Sequence, residues 1–149
     1  MFRAGFQGNT LVANRSPSFT DWANDSSVRT AMEFPIQGIL FDVANGVWLD
    51  AWGSRPDSVA ERERIVRALV SAAPPLIPLL GHRYIATAPG AAKGYAVLSV
   101  MQTDIIEYGS DLRDYLLTEL CALLGDYGQR FGASTGAAGT IPFWGAFID

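Results

Sequence analysis

Residues 95–120 read YAVLSVMQTDIIEYGSDLRDYLLTEL, and this stretch decides how the chain folds. An apolar strand is followed by the polar triplet Gln102–Asp104, a second short strand, a Gly-Ser break and an amphipathic helix. Ser110 is placed to cap that helix, in which leucines recur at helical spacing. Because apolar residues flank the triplet on both sides, burying it without hydrogen-bond partners is costly. The triplet is therefore either the turn of a strand pair or a polar site within a strand.

The flanking segments show the same two kinds of pattern. Residues 34–52 read as a strand pair around a turn at Asn45–Gly46, because an Asn-Gly step tolerates positive φ. Residues 58–73 read as a helix, since Ser58 and Glu61 match the S-x-x-E capping box. Residues 76–80, which are bent by Pro78, lead into the next strand. The remaining strands are predicted at residues 81–85, 96–101 and 105–108.

These elements suit one domain. A chain of 149 residues is long enough to bury a substantial core. Residues 1–33 are expected to form an N-terminal arm with a short helix, and residues 34–149 to form the domain itself. The tail 141–149 is too apolar for a free end, so we expect it to dock on the body.

The charge distribution excludes one class of ligand and favours another. The net charge is −4, and residues 100–149 carry seven acidic side chains against two basic ones. Phosphate binding needs clustered cations, so nucleic acid is not expected as a direct ligand. An acidic surface suits a cationic protein partner, although such surfaces also simply keep proteins soluble. No apolar run reaches the roughly 18 residues of a membrane span, and a single cysteine suits a reducing cytoplasm.

Few residues carry recognisable chemistry. His82 is the sole histidine, so any imidazole acid or base must be His82. Asp42 and Asp104 both lie in apolar strand contexts, and paired carboxylates can divide acid and base roles, as in a hydrolase. The alternative is that each carboxylate accepts a hydrogen bond from a nearby backbone N–H or from Arg83. One histidine and one cysteine are too few for a zinc site, and cofactor-binding motifs are absent, so neither a metal nor a cofactor is expected.

Four segments resemble the SUKH superfamily, in particular its Smi/Knr-like branch. They are FDVANGVWLDAWG at 41–53, IPLLGHRY at 77–84, VLSVMQTDIIEYGSDLRDYLLTEL at 97–120 and IPFWGAF at 141–147. The most specific element is the Tyr-Gly pair followed by Ser-Asp-Leu-x-Asp-Tyr-Leu at the start of a helix. Typical members begin with a helix and an L-G-x-x-L-P-type segment, which residues 1–33 do not match.

The resemblance implies both a fold and a role. The fold is an α+β domain with a mostly antiparallel sheet flanked by helices, and the role is non-enzymatic. Bacterial members look like immunity proteins that neutralise polymorphic toxins, often nucleases, by direct binding, and fungal relatives act as regulatory scaffolds. A basic toxin domain is then the expected partner. The residues expected to line the binding groove or its rim are Trp48, Trp52, Tyr84, Gln102, Asp104, Glu107 and Tyr108.

Two other functions stay open at this point. One is a small-molecule or peptide-binding module, and the other is a hydrolase that uses Asp42, His82 and Asp104. The sequence does not indicate an oligomeric state.

Overall fold

The computed structural model describes residues 20–87, 95–124 and 137–148. The helices and strands in this part of the chain are α1 (Asp25–Ala44), α2 (Val59–Ala72), β1 (Leu76–Leu80), β2 (Arg83–Ala86), β3 (Val97–Met101), β4 (Asp104–Gly109) and α3 (Leu112–Leu124). Short 3₁₀ helices lie at Asp50–Trp52, Ala137–Thr140 and Trp144–Phe147. Three helices and a four-stranded antiparallel sheet thus form one α+β domain, which confirms the predicted fold class.

The sheet is a meander in the order β1-β2-β3-β4, so β1 and β4 are its edges. The strands predicted at 81–85, 96–101 and 105–108 correspond to β2, β3 and β4. Residues 76–80, which contain Pro78 and were predicted only to lead into a strand, are themselves a strand, β1, which pairs with β2. The polar triplet is a turn: Met101 pairs with Asp104, and Gln102 adopts a φ of 58° between them.

The predicted strand pair at 34–52 is wrong, because most of it belongs to α1. This helix starts after Asn24, whose side chain accepts hydrogen bonds from the N–H groups of Ser26 and Ser27. It is continuous across the boundary that we predicted between residues 33 and 34. The Asn45–Gly46 turn, with a Gly46 φ of 113°, ends the helix and joins no strands. The buried residues of α1 recur at helical spacing and are Pro35, Ile39, Leu40 and Val43.

Pro35 lies inside α1, where a proline removes one helical hydrogen bond. The missing N–H would have donated to the carbonyl oxygen of Ala31, four residues earlier. Instead, the hydroxyl of Tyr84 donates to the Ala31 oxygen at 2.9 Å. Tyr84 is fully buried, and this burial raises its pKa to about 12. The Tyr84 hydroxyl of β2 therefore replaces the hydrogen bond that Pro35 cannot donate within α1.

Helices cover both faces of the sheet. On one face α1 and α2 pack over the core, in which Val66 of α2 is fully buried. The predicted helix at 58–73 is confirmed, and the side chain of Ser58 accepts a hydrogen bond from the Glu61 N–H at 3.4 Å. The side chains that alternate with the core residues along each strand point to the other face. There Tyr115 of α3 contacts Tyr108 of β4. The sheet residues in the core cluster are Leu76, Tyr84, Ala86, Leu98, Val100 and Ile105.

The start of α3 explains the sequence motif around it. Its cap is Asp111, one residue later than the predicted Ser110, because the Asp111 carboxylate accepts from the Asp114 N–H at 2.7 Å. The Asp114 carboxylate in turn accepts from the N–H of Ser110 at 2.9 Å. Gly109 is required by packing, since a Cβ there would lie 2.8 Å from the Tyr115 nitrogen. This reciprocal capping gives the motif a structural role.

The C-terminal tail packs against the core face. Trp144 is only 3% exposed, and its indole Nε1 donates to the Pro74 carbonyl at 2.7 Å. Residues 1–19 of the predicted arm, residues 88–94 and 125–136, and Asp149 lie outside the described residues. No helix in the described ranges is long and apolar enough to cross a membrane.

Candidate functional site

A groove of about 430 Å³ follows the outer edge of β4. Five consecutive residues, 103–107, line it on the strand side, and Phe147 and Ile148 of the tail line it opposite. Consecutive side chains of a strand point to opposite faces, so Asp104 and Ile106 share one exposed face, whereas Ile105, only 2% exposed, points into the core. We call this site the β4 groove.

The side chains of the β4 groove are acidic and apolar. Asp104 is exposed, and Ile106 keeps 51% of its surface exposed. Glu107 is half-buried, and its carboxylate accepts a hydrogen bond from the Ala138 N–H at 3.2 Å. An exposed isoleucine beside an exposed carboxylate on an edge strand is a surface that can take up an apolar and a cationic group together.

An aromatic cluster supports the tail side of the groove. Trp52 stacks on Phe143, with ring centroids 6.2 Å apart, and meets Phe147 edge-on at 5.8 Å. Trp48 packs edge-on against Trp52 at 5.3 Å, and its indole N–H donates to the Gly53 carbonyl at 2.8 Å. Such contacts fix ring orientations. Trp52 therefore contacts the groove residue Phe147 directly, and Trp48 is connected to it only through Trp52.

Helix α1 holds the turn at the end of the groove. The Asp42 carboxylate accepts hydrogen bonds from the Thr103 N–H at 3.0 Å and from the Thr103 hydroxyl at 2.7 Å. One helical turn earlier, Gly38 lets the turn approach, because a Cβ there would lie 3.0 Å from the Gln102 Cα. Asp42 therefore has the structural role of accepting a backbone N–H, which was the alternative to its catalytic role.

A second polar cluster lies on the α3 face of the sheet. The Arg83 guanidinium donates to the Ser99 hydroxyl at 2.7 Å and lies 3.8 Å from the centre of the Tyr108 ring. Within the described residues, the buried Tyr115 hydroxyl and one Glu119 carboxylate oxygen have no hydrogen-bond partner. Burial raises the pKa of Tyr115, and the nearby Glu119 adds to this effect.

His82 belongs to this second cluster. Partial burial lowers its pKa, the positive charge of Arg83 lowers it further, and Glu119 acts in the opposite direction. No hydrogen bond or ion pair in the described part of the chain joins His82 to Asp42 or Asp104. The three residues of the hydrolase hypothesis are thus not linked as a catalytic unit.

The structure brings together three of the seven residues expected at the binding groove. Asp104 and Glu107 line the β4 groove, and Trp52 contacts its wall. Trp48 and Gln102 lie beside it, in the aromatic cluster and in the turn. Two of the seven lie elsewhere: Tyr84 is fully buried, and Tyr108 faces α3.

Sequence reasoning missed Ile106, Phe147 and Ile148 as groove residues. The available signal was the apolar character of the tail, which predicted docking but not the strand against which it docks. Among the described residues, His, Cys, Asp and Glu side chains form no group of three that could hold a metal ion. No protein-family model, curated protein or solved structure matches this chain.

Proposed function

We propose that this chain is a non-enzymatic protein-binding domain, an immunity protein that neutralises a bacterial toxin by direct binding in the cytoplasm. The observation that carries the proposal is the β4 groove, in which Asp104 and Ile106 are exposed side by side on an edge strand. The resemblance to the SUKH superfamily supports it, because the most specific segment of that resemblance forms β3, β4 and the start of α3.

Charge indicates the kind of partner. Residues 100–149, which include β4 and the tail, hold seven acidic and two basic side chains. Acidic surfaces accelerate association with basic proteins, and a nuclease toxin that binds a phosphate backbone is basic. A basic toxin domain is therefore the partner that the groove suits best.

A hydrolase has less support from the same geometry. The carboxylate of Asp42 already accepts two hydrogen bonds from Thr103, and His82 is influenced by Arg83 and Glu119. A general base needs to be within hydrogen-bond reach of its partner groups. Protein binding requires no such constellation, only an accessible surface of suitable chemistry.

The test compares two matched double variants in affinity capture from a lysate of the organism that encodes the chain. Asp104→Arg with Ile106→Arg changes the β4 groove. Asp57→Arg with Ile77→Arg makes the same chemical changes at an exposed aspartate before α2 and an exposed isoleucine on the opposite edge strand. Trp52 is a poor choice for this test, because its rings pack within the aromatic cluster and its loss perturbs the fold.

We expect the native chain and the control variant to retain one stoichiometric toxin-like protein, and the groove variant to retain at least about tenfold less. Circular dichroism and thermal melting establish that both variants are folded. Equal retention by both folded variants would remove the groove from the proposal. The captured partner is then expressed in cells together with the native chain. Toxicity that persists in these cells would contradict the immunity role.

A further inference from the structure

Helix α3 is held to the domain differently from α1 and α2. The core cluster draws its buried residues from α1, α2, the sheet and the C-terminal segment, and none of them is a described side chain of α3. Among the described side chains of α3, residues 112–119, only Tyr115 is buried, whereas Leu112 and Leu116 are 41% and 38% exposed. By contrast, α2 buries Val66 completely in the core. The described part of α3 therefore contributes little apolar burial to the domain.

The contact between α3 and the sheet contains polar groups that lack partners. Of the four buried side-chain nitrogen and oxygen atoms without a hydrogen bond in the described part of the chain, three lie here: Arg83 Nε, the Tyr115 hydroxyl and Glu119 Oε2. Burial raises the pKa of Tyr115, Glu119 raises it further and Arg83 lowers it, so both charges lie near this hydroxyl. Among the described residues, however, no ion pair joins Arg83 to Glu119. Water can satisfy all three groups once α3 moves away, so each of them opposes the docking of α3.

We propose that α3 is a lid on the sheet, which opens as one unit while the core remains folded. The lid covers the face of the sheet that carries Tyr108, and opening separates the rings of Tyr108 and Tyr115, whose centroids lie 5.9 Å apart in the closed state. A helix of 13 residues without tertiary contacts is only marginally stable in water. The opened α3 therefore also loses its helical hydrogen bonds, and hydrogen exchange of its amides reports the opening.

Opening the lid uncovers a surface next to the β4 groove. Asp104, Ile106 and Tyr108 point to the same face of β4, because side chains alternate along a strand. Asp104 and Ile106 are already exposed, and Tyr108, half-buried against Tyr115, is uncovered when α3 leaves. The open lid therefore enlarges the surface that a protein partner can contact. This consequence rests on the proposed function, whereas the opening itself is a property of the isolated chain.

Hydrogen exchange measured by nuclear magnetic resonance on the isotope-labelled full chain, without a partner, tests the lid. The amides of residues 116–119 in α3 are compared with those of residues 66–70 in α2, a helix of 14 residues that docks in the core. We expect the α3 amides to share one opening equilibrium, at least about tenfold larger than that of α2 and less dependent on denaturant, because the lid exposes little surface. Exchange of α3 no faster than that of α2, or rates that change from amide to amide without a common opening, would overturn the lid.

Two variants with the same chemical change test why the lid opens. Tyr115→Phe removes a buried hydroxyl without a partner, so exchange of residues 116–119 should slow at least about fivefold. Tyr84→Phe is the matched control, because its hydroxyl donates to Ala31, and exchange in α1 should become faster. Unchanged or faster α3 exchange in Tyr115→Phe, or slower exchange in both variants, would contradict the proposal. Neither measurement needs the partner, so a negative result removes the lid alone, and failure of the capture experiment leaves the lid intact.

Discussion

Replacing Tyr84 with phenylalanine removes one hydroxyl from the fully buried contact between β2 and α1. In the native chain this hydroxyl donates to the Ala31 carbonyl, which has no helical donor because Pro35 lacks an N–H. Phenylalanine fills the same volume, so no cavity forms. The loss therefore isolates a carbonyl without a partner. We expect the free energy of unfolding to fall by about 1–3 kcal/mol, the usual cost of such a group.

The reasoning makes a sharper prediction for the double variant. Pro35→Ala restores an N–H four residues after Ala31, and this N–H can donate to the same carbonyl. In that background Tyr84→Phe no longer strands the carbonyl, so its cost should decrease by about 1 kcal/mol or more. The four proteins form a double-mutant cycle that chemical denaturation can measure.

Thermal melting gives a second readout, since about 1 kcal/mol corresponds to about 2–4 °C for a chain of this size. A cost of Tyr84→Phe that is the same in both backgrounds within about 0.5 kcal/mol would refute the compensation between Pro35 and Tyr84. A negligible cost in the native background would refute it equally.

Three further outcomes follow from close contacts in the same structure. Gly109→Ala should lower the free energy of unfolding by about 1–3 kcal/mol, because its Cβ would lie 2.8 Å from the backbone of α3. Chemical denaturation measures this loss, and Gly139→Ala, whose Cβ meets nothing within 4 Å, is the neutral control. Asp42→Ala should cost about 1–3 kcal/mol by the same assay, since it leaves the Thr103 N–H without its acceptor, and a native-like stability would contradict its anchoring role. Because the pKa of His82 is lowered in the folded chain, the unfolded chain binds more protons below pH 6.5; stability should therefore decline as pH falls through this range, and His82→Asn should remove that part of the decline.

The sequence was sufficient for those elements whose local signals agree with their packing. Residues 97–120 form two strands and a helix, as predicted, because alternation, a tight turn and a capped leucine-rich segment all favour the same structure. The helix at 58–73 was predicted for the same reason, since its capping residue and its apolar spacing agree.

Helix α1 could not be predicted in the same way, because its local signals conflict with its packing. Pro35 disfavours a helix, and the run Gly38–Val43 is rich in strand-forming residues. The helix forms because Ile39, Leu40 and Val43 bury against the sheet and because Tyr84 compensates for the proline. Both contacts join residues that are distant in sequence, and no local pattern contains them.

The residues of the candidate site were likewise predicted only in part. Asp104, Glu107 and Trp52 were expected at a binding groove because of the family resemblance, and the structure places them at or beside the β4 groove. Phe147 and Ile148 join them only because the tail folds back along β4. Tyr84 was expected at the groove or its rim on the same basis, but it is fully buried and its hydroxyl bonds to α1 inside the domain.

The most direct test of the central claim, that the β4 groove binds a protein, is site-specific photocrosslinking in the cell that encodes the chain. A photoreactive phenylalanine analogue replaces Ile106 in one variant and Ile77, on the opposite edge strand, in the other. We predict a discrete crosslinked adduct with a basic toxin-like protein from position 106 and none from position 77. An adduct from position 77 alone, or the same adduct from both positions, would contradict the assignment of the groove as the binding surface.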